Sequence, residues 1–267
     1  MRILKIIGLV LLLVTCCQLL GQANETDQQL LAHIPDRQNS LCYMEADDTR
    51  GWYAQEIWTK EDFNKILLRY AVNRSLIIPI FPTVYSPGGN NFKPDSYYYD
   101  FILKQSGMKK HDKVLVIGSG SGADVWVAWL KTQARVYAID INPLAVANTK
   151  STARIAGFPV EAIKGDIRNM SLPKSFSDFD YVIWNMPFIF ESCSYDAETF
   201  HDCDDGTIIK ALIALLPRIL KKGGKAILLN TKMAMDQISF PHQQVIDVGY
   251  KIKSWNADLF LDVLTNE

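Results

Sequence analysis

At 267 residues the chain has room for one large domain, or for one domain with a small appendage. Hydrophobic residues make up 48% and charged residues 21%, which excludes the disordered and fibrous classes and fits a globular protein. A formal net charge of −1 excludes a global field that recruits nucleic acid or anionic lipid. The five cysteines are Cys16, Cys17, Cys42, Cys193 and Cys203; they form no CxxC pair and no metal-ligand spacing with a histidine, so the spacing argues against a metal site.

Residues 1–23 form a unit of their own. Arg2 and Lys5 precede an apolar run from Ile6 to Cys17, and Gly21-Gln22-Ala23 supplies small residues before a polar stretch. The run is shorter than the ~20 residues of a comfortable membrane span. It is expected to be a signal peptide, or else a membrane anchor, and Leu13-Val14-Thr15-Cys16 is similar to a lipobox. Either outcome places the remainder outside the cytosol, exported or anchored, with membrane contact only through this segment. A start assigned too far upstream would leave the protein cytoplasmic.

Residues 24–95 read as an N-terminal extension or lid of helix and loop. Positions 24–50 are polar and carry no sustained period. Thr59, with Glu61 and Asp62 behind it, reads as a helix cap, and Phe63, Ile66, Leu67 and Tyr70 follow at helical spacing. Ile77 to Lys93 is rich in Pro and Gly and must be extended or looped. A helical pattern resumes from Ser96 to Ser106 and opens the main domain, residues 96–267, whose tyrosines at 97, 98 and 99 read mainly as packing.

From Lys113 the chain alternates strand and helix. Val114-Leu115-Val116-Ile117 is the continuous apolar run of a strand buried on both faces. Helices are expected over Ala123–Lys131, Pro143–Ala156 and Thr207–Leu220, the last stopped by Gly223-Gly224. Strands are expected over Arg135–Ile139, Val160–Ile163, Tyr181–Trp184 and Ala226–Leu229, and the tail from Tyr250 to Leu264 reads as an antiparallel pair. The fold class is therefore α/β: a doubly wound, Rossmann-like sheet, mostly parallel, with an antiparallel C-terminal hairpin. Its ligand site belongs at the carboxyl ends of the strands.

Chemistry concentrates there. Gly118-Ser119-Gly120-Ser121-Gly122 joins the first strand of the alternation to a helix, where glycines permit a tight turn and a close approach of backbone to ligand. Asp140 ends the next strand, where a carboxylate can accept from both hydroxyls of a ribose, with Ile141 beside it; the plainer reading is an acid capping the helix at Asn142-Pro143. Asp166 follows the third strand, placed to meet an adenine amine or simply to close a turn. Asp180-Tyr181-Val182-Ile183-Trp184 then leads into Asn185-Met186-Pro187-Phe188.

With these residues in view, the chain over about 97–231 resembles the class I, Rossmann-like S-adenosylmethionine-dependent methyltransferases, of the type that methylates amino groups and carries an Asn-Pro-Pro-Phe-like tetrad. The resemblance implies S-adenosylmethionine as cofactor, held by Gly118, Ser119, Gly120, Gly122, Asp140, Ile141 and Asp166. It implies Asn185, Met186, Pro187 and Phe188 as the catalytic set, with the Asn185 side-chain oxygen and the Met186 carbonyl accepting the N–H groups of a nitrogen acceptor. The family's acid two residues before the first glycine is Val116 here, and the first proline of the tetrad is Met186. The expected methyl acceptor is a small molecule, peptide or protein; export and the lack of surplus basic charge argue against nucleic acid. Two alternatives stay open. Gly118-x-Gly120-x-x-Ala123 with Asp140 also fits an NAD-dependent oxidoreductase, and the departures at Val116 and Met186 suit a non-catalytic binding protein.

Overall fold

The computed structural model describes residues 40–47, 51–57, 76–80, 84, 92–169, 171–186, 206–236, 242–252 and 257–266. The expected leader, the helix expected after Thr59, and Pro187 and Phe188 lie outside these residues.

The main sheet contains β4 (Val114–Ile117), β5 (Val136–Asp140), β6 (Val160–Lys164), β7 (Phe179–Asn185), β8 (Leu220–Thr231), β9 (His242–Ile252) and β10 (Ala257–Thr265). Their order is β6-β5-β4-β7-β8-β10-β9. The first five in that order pair in parallel, and β10 inserts antiparallel between β8 and β9. The chain winds outward from β4 to β6 and then returns to β7 on the other side of β4. The crevice above β4 and β7 is thus the switch point where doubly wound sheets bind ligands.

Both faces of the sheet are covered, as the unbroken apolar run of β4 requires. On one face α1 (Phe92–Lys104), α2 (Ala123–Thr132) and α3 (Pro143–Ala156) pack against Val114, Val116, Tyr181 and Ile183. On the other, α4 (Thr207–Ile219) buries Ile209, Leu212, Leu215, Leu216 and Ile219 against Leu115, Ile117, Val182 and Trp184. A short helix, α5 (Lys232–Met235), follows β8. The ends of α3 are set by local chemistry: the Asn142 side chain accepts from the Leu144 amide, Pro143 occupies the first turn, and Gly157 closes the helix at φ 74°.

Two regions differ from the sequence expectation. Gly223-Gly224 does not stop α4; Leu220 does, by turning extended, and β8 begins at once. The two glycines sit inside β8, where pairing with β7 slips between Phe179–Leu220 and Tyr181–Lys225. A Cβ at Gly224 would lie 2.8 Å from the Phe179 carbonyl oxygen, so the pair permits a bulge rather than a helix end. The N-terminal extension is also not helix and loop alone. It contributes an antiparallel sheet of β1 (Ser40–Asp47), β2 (Gly51–Ile57) and β3 (Leu76–Ile80) in the order β2-β1-β3. Apolar and polar positions do not alternate cleanly along Leu41-Cys42-Tyr43-Met44, so no period-2 signal marked it. β2 packs against α1 and β3 against α3.

Candidate functional site

The glycine loop between β4 and α2 is built from three left-handed residues: Gly118, Gly120 and Gly122 have φ of 62°, 50° and 85°. That conformation costs an L-residue roughly 1–2 kcal/mol, which accounts for glycine at every second position. Space adds to the demand at both ends. A Cβ on Gly118 would lie 3.0 Å from Trp184 Nε1, and one on Gly122 would lie 3.0 Å from Thr149 Cα.

The loop's amides point mostly inward. Gly118 and Ser119 donate to the Ile139 carbonyl at 2.9 and 3.3 Å, and Gly122 donates to the Ser119 carbonyl at 2.8 Å. Gly120 donates to Asp140 Oδ2 at 2.9 Å, while the Asn142 amide donates to Asp140 Oδ1 at 2.9 Å. Asp140 is therefore not the helix cap, a role Asn142 fills; its carboxylate braces the loop. Burial pushes its carboxyl above the usual carboxylate range, and the two backbone hydrogen bonds only partly offset this. Each oxygen keeps a second lone pair, so the group still has acceptor capacity for a ligand.

Ile141, next to it, is 40% exposed, one of two large hydrophobic side chains exposed among the described residues. An apolar side chain held out beside a bracing carboxylate fits the flat face of a purine. Asp166 lies just past the carboxyl end of β6, where Lys164 pairs with Asp140, and Arg168 engages both of its oxygens at 2.9–3.0 Å. Burial pushes its carboxyl up, but the Arg168 hydrogen bonds and charge outweigh that and hold it below the usual range.

Strand register brings Asn185 and Met186, the first two residues of the tetrad, to the same crevice. Ile117 pairs with Trp184, so Gly118 and Asn185 leave neighbouring strands side by side. The Met186 amide donates to the Leu229 carbonyl at 3.0 Å and its side chain is buried, which fixes the backbone at the exit of β7. Gly118, Ser119, Gly120, Gly122, Asp140, Ile141, Asp166, Asn185 and Met186 thus gather along the carboxyl edge of β5, β4, β6 and β7. Loop glycines, bracing acid and exposed isoleucine fit an adenosyl cofactor.

Several residues at this edge carried no motif in the sequence. Asn148, Thr149 and Thr152 of α3 are fully buried beneath the glycine loop. Their only signal is three polar residues on one face of a helix. Asp124, in the first turn of α2, is buried and bonded by the Tyr99 side chain; burial raises its pKa to about 6, and that bond lowers it only in part. Tyr98 and Tyr99 belong to the core. Asn230, near the carboxyl end of β8, is fully buried with neither polar side-chain atom hydrogen-bonded.

A doubly wound sheet with a glycine loop at the switch point and an acid at the end of β5 is a Rossmann-like arrangement. A family model described as "Methyltransferase domain" matches residues 108–257, and the chain belongs to that family. Among curated proteins, a Methanocaldococcus jannaschii protein provisionally named a protein N5-glutamine methyltransferase is 25% identical over 182 residues, covering 66% of this chain and 85% of the relative. Among solved structures, the PH0226 protein of Pyrococcus horikoshii has a TM-score of 0.48 at 19% identity, covering 70% of this chain and 97% of that one. The geranyl diphosphate C-methyltransferase of Streptomyces coelicolor, crystallised with S-adenosyl-L-homocysteine, has a TM-score of 0.47 at 12% identity, covering 65% and 79%. The family assignment rests on the sequence match and not on these scores.

Proposed function

We propose that the protein is an S-adenosylmethionine-dependent methyltransferase that methylates a nitrogen of a small molecule, peptide or protein. One observation supports this reading above the others: Asn185 and Gly118 emerge side by side from β7 and β4. A carboxamide next to the cofactor loop is what a nitrogen acceptor needs. The cofactor, when bound, supplies a methyl group activated by sulfonium charge. The rest falls to the chain. The remaining lone pairs of Asp140 would accept from ribose hydroxyls, Ile141 would cover the base, and Asp166 would meet its amine. Asn185 Oδ1 and the Met186 carbonyl each accept one N–H of the acceptor and turn its lone pair toward the methyl group, a contribution of positioning rather than bond chemistry. Phe188 stacks on a flat acceptor group in this reading.

The glutamine in the M. jannaschii relative's name makes a protein carboxamide the first acceptor class to try. Residues 1–23 place the catalytic domain outside the cytosol in this reading, either free or anchored. The test is methyl transfer by the full chain from labelled S-adenosylmethionine to peptide carboxamides and to primary amines. Asn185→Ala should cut transfer at least tenfold while leaving affinity for S-adenosylhomocysteine within about twofold. Unchanged transfer in that variant would remove Asn185 from the reaction.

A further inference from the structure

We infer that helix α3 is the element that shapes the cofactor loop, through a polar latch centred on Thr149 and Ser119. The inference rests on the methyltransferase reading for its ligand, but its geometry stands apart from it. Thr149 Oγ1 lies 2.8 Å from Ser119 Oγ and 3.2 Å from the Gly120 carbonyl oxygen. A hydroxyl has one proton, so the arrangement is satisfied when Ser119 donates to Thr149 and Thr149 donates to Gly120. One turn away, Thr152 Oγ1 donates to the Ser121 carbonyl at 2.6 Å and Asn148 Nδ2 donates to the same oxygen at 3.1 Å. These four contacts all run to residues 119–121, and all three α3 side chains are fully buried.

Buried polar groups carry a desolvation cost that an apolar helix face would avoid. A face of Asn148, Thr149 and Thr152 under a loop already joined to the sheet by Gly118, Ser119 and Gly120 is more than attachment requires. It fixes the two carbonyls that would otherwise rotate with the left-handed Gly120, and it turns the Ser119 hydroxyl inward. Ser119 is therefore a positioning residue acting through Thr149, in place of a direct contact to the cofactor. Gly122 belongs to the same device, since its missing Cβ is what lets Thr149 and Thr152 come this close.

The experiment is a double-mutant cycle on the full chain, read by calorimetric affinity for S-adenosylhomocysteine and by amide hydrogen exchange of residues 118–122 without ligand. Thr149→Val, nearly isosteric, should weaken binding ~10-fold, the scale of one or two neutral hydrogen bonds. Its loop amides should exchange faster. Thr149→Ser should bind within about twofold of the native chain. Ser119→Ala should weaken binding alone but change nothing further in the Thr149→Val background. Additive losses would mean that Ser119 touches the cofactor itself, and native affinity with native exchange in Thr149→Val would mean plain packing; either overturns the latch. If Thr149→Val fails to fold, Ser119→Ala, which leaves α3 intact, tests the pair from the loop side by the same exchange. If the native chain does not bind S-adenosylhomocysteine, the cofactor reading falls, and amide exchange decides the latch by itself.

Discussion

The Asp140 carboxylate and the Gly120 amide are hydrogen-bonded at 2.9 Å, across 20 residues of sequence, which ties the acid ending β5 to the loop ending β4. Two features that a sequence reading treats as separate ligand contacts are thus one unit. The acid is held in place by the loop that it helps to shape, and both lie at the switch point of the sheet.

Loss of that acid should be felt twice. Asp140→Ala leaves the Gly120 and Asn142 amides without their acceptor, at about 1–3 kcal/mol for each buried donor, and it removes the ribose acceptor as well. Thermal melting should shift down, and calorimetric affinity for S-adenosylhomocysteine should fall at least tenfold. Because burial raises the Asp140 pKa, protonation sets in at a higher pH than for an ordinary aspartate, so native affinity should weaken toward acid pH. Native affinity in Asp140→Ala would remove the residue from the site.

Gly122→Ala and Gly157→Ala compare space at similar backbone strain. Both glycines are left-handed, at φ 85° and 74°, but a Cβ on Gly122 meets Thr149 and Thr152 while one on Gly157 meets open space. Gly157→Ala should cost about 1–2 kcal/mol, the left-handed penalty alone. Gly122→Ala should cost more, because the neighbours it meets are α3 backbone and a stiff β-branched side chain. Denaturant unfolding of the two variants measures the difference, and equal costs would show that α3 gives way freely.

Asp124 should make stability fall as pH rises from about 4 to 6. Its folded pKa of about 6 exceeds the ordinary 3.8, so between these values the folded state holds more protons than the unfolded state. Stability from this group is greatest below pH 4 and lost by pH 6, a difference of about 3 kcal/mol at 1.36 kcal/mol per unit. Asp124→Asn keeps an acceptor for Tyr99 and removes the charge. The stability difference between variant and native chain should therefore grow in the variant's favour across that window. A difference independent of pH would mean that Asp124 titrates alike in the folded and unfolded states.

Asn230→Leu should stabilise the protein. The Asn230 carboxamide is buried without a hydrogen-bond partner, and such a group costs about 1–3 kcal/mol. Replacing it by an apolar side chain of similar size removes the cost, so the melting temperature should rise. A fall would contradict the reading that the carboxamide is a net cost to stability.

Much of this was legible in the sequence, for identifiable reasons. The buried run Val114–Ile117, the pair Asn142-Pro143 and the alternating glycines each have one low-energy structural solution, so strand, helix start and loop follow from them. The bulge at Gly223-Gly224 was not legible, since paired glycines mark a helix end and a strand irregularity alike. The β1–β2–β3 sheet was hidden because its strands lack alternation. The latch of Asn148, Thr149 and Thr152 was hidden because its partners, the Ser119 hydroxyl and two backbone carbonyls, lie about thirty residues away and leave no mark on composition or period.

The most direct test is calorimetric titration of the full chain with S-adenosylmethionine, S-adenosylhomocysteine and NAD in parallel. Saturable binding of the first two without NAD is the predicted result, and it makes an acceptor search with the Asn185→Ala control worthwhile. Binding of NAD alone, or of none of the three, would contradict the cofactor assignment on which the proposed activity depends.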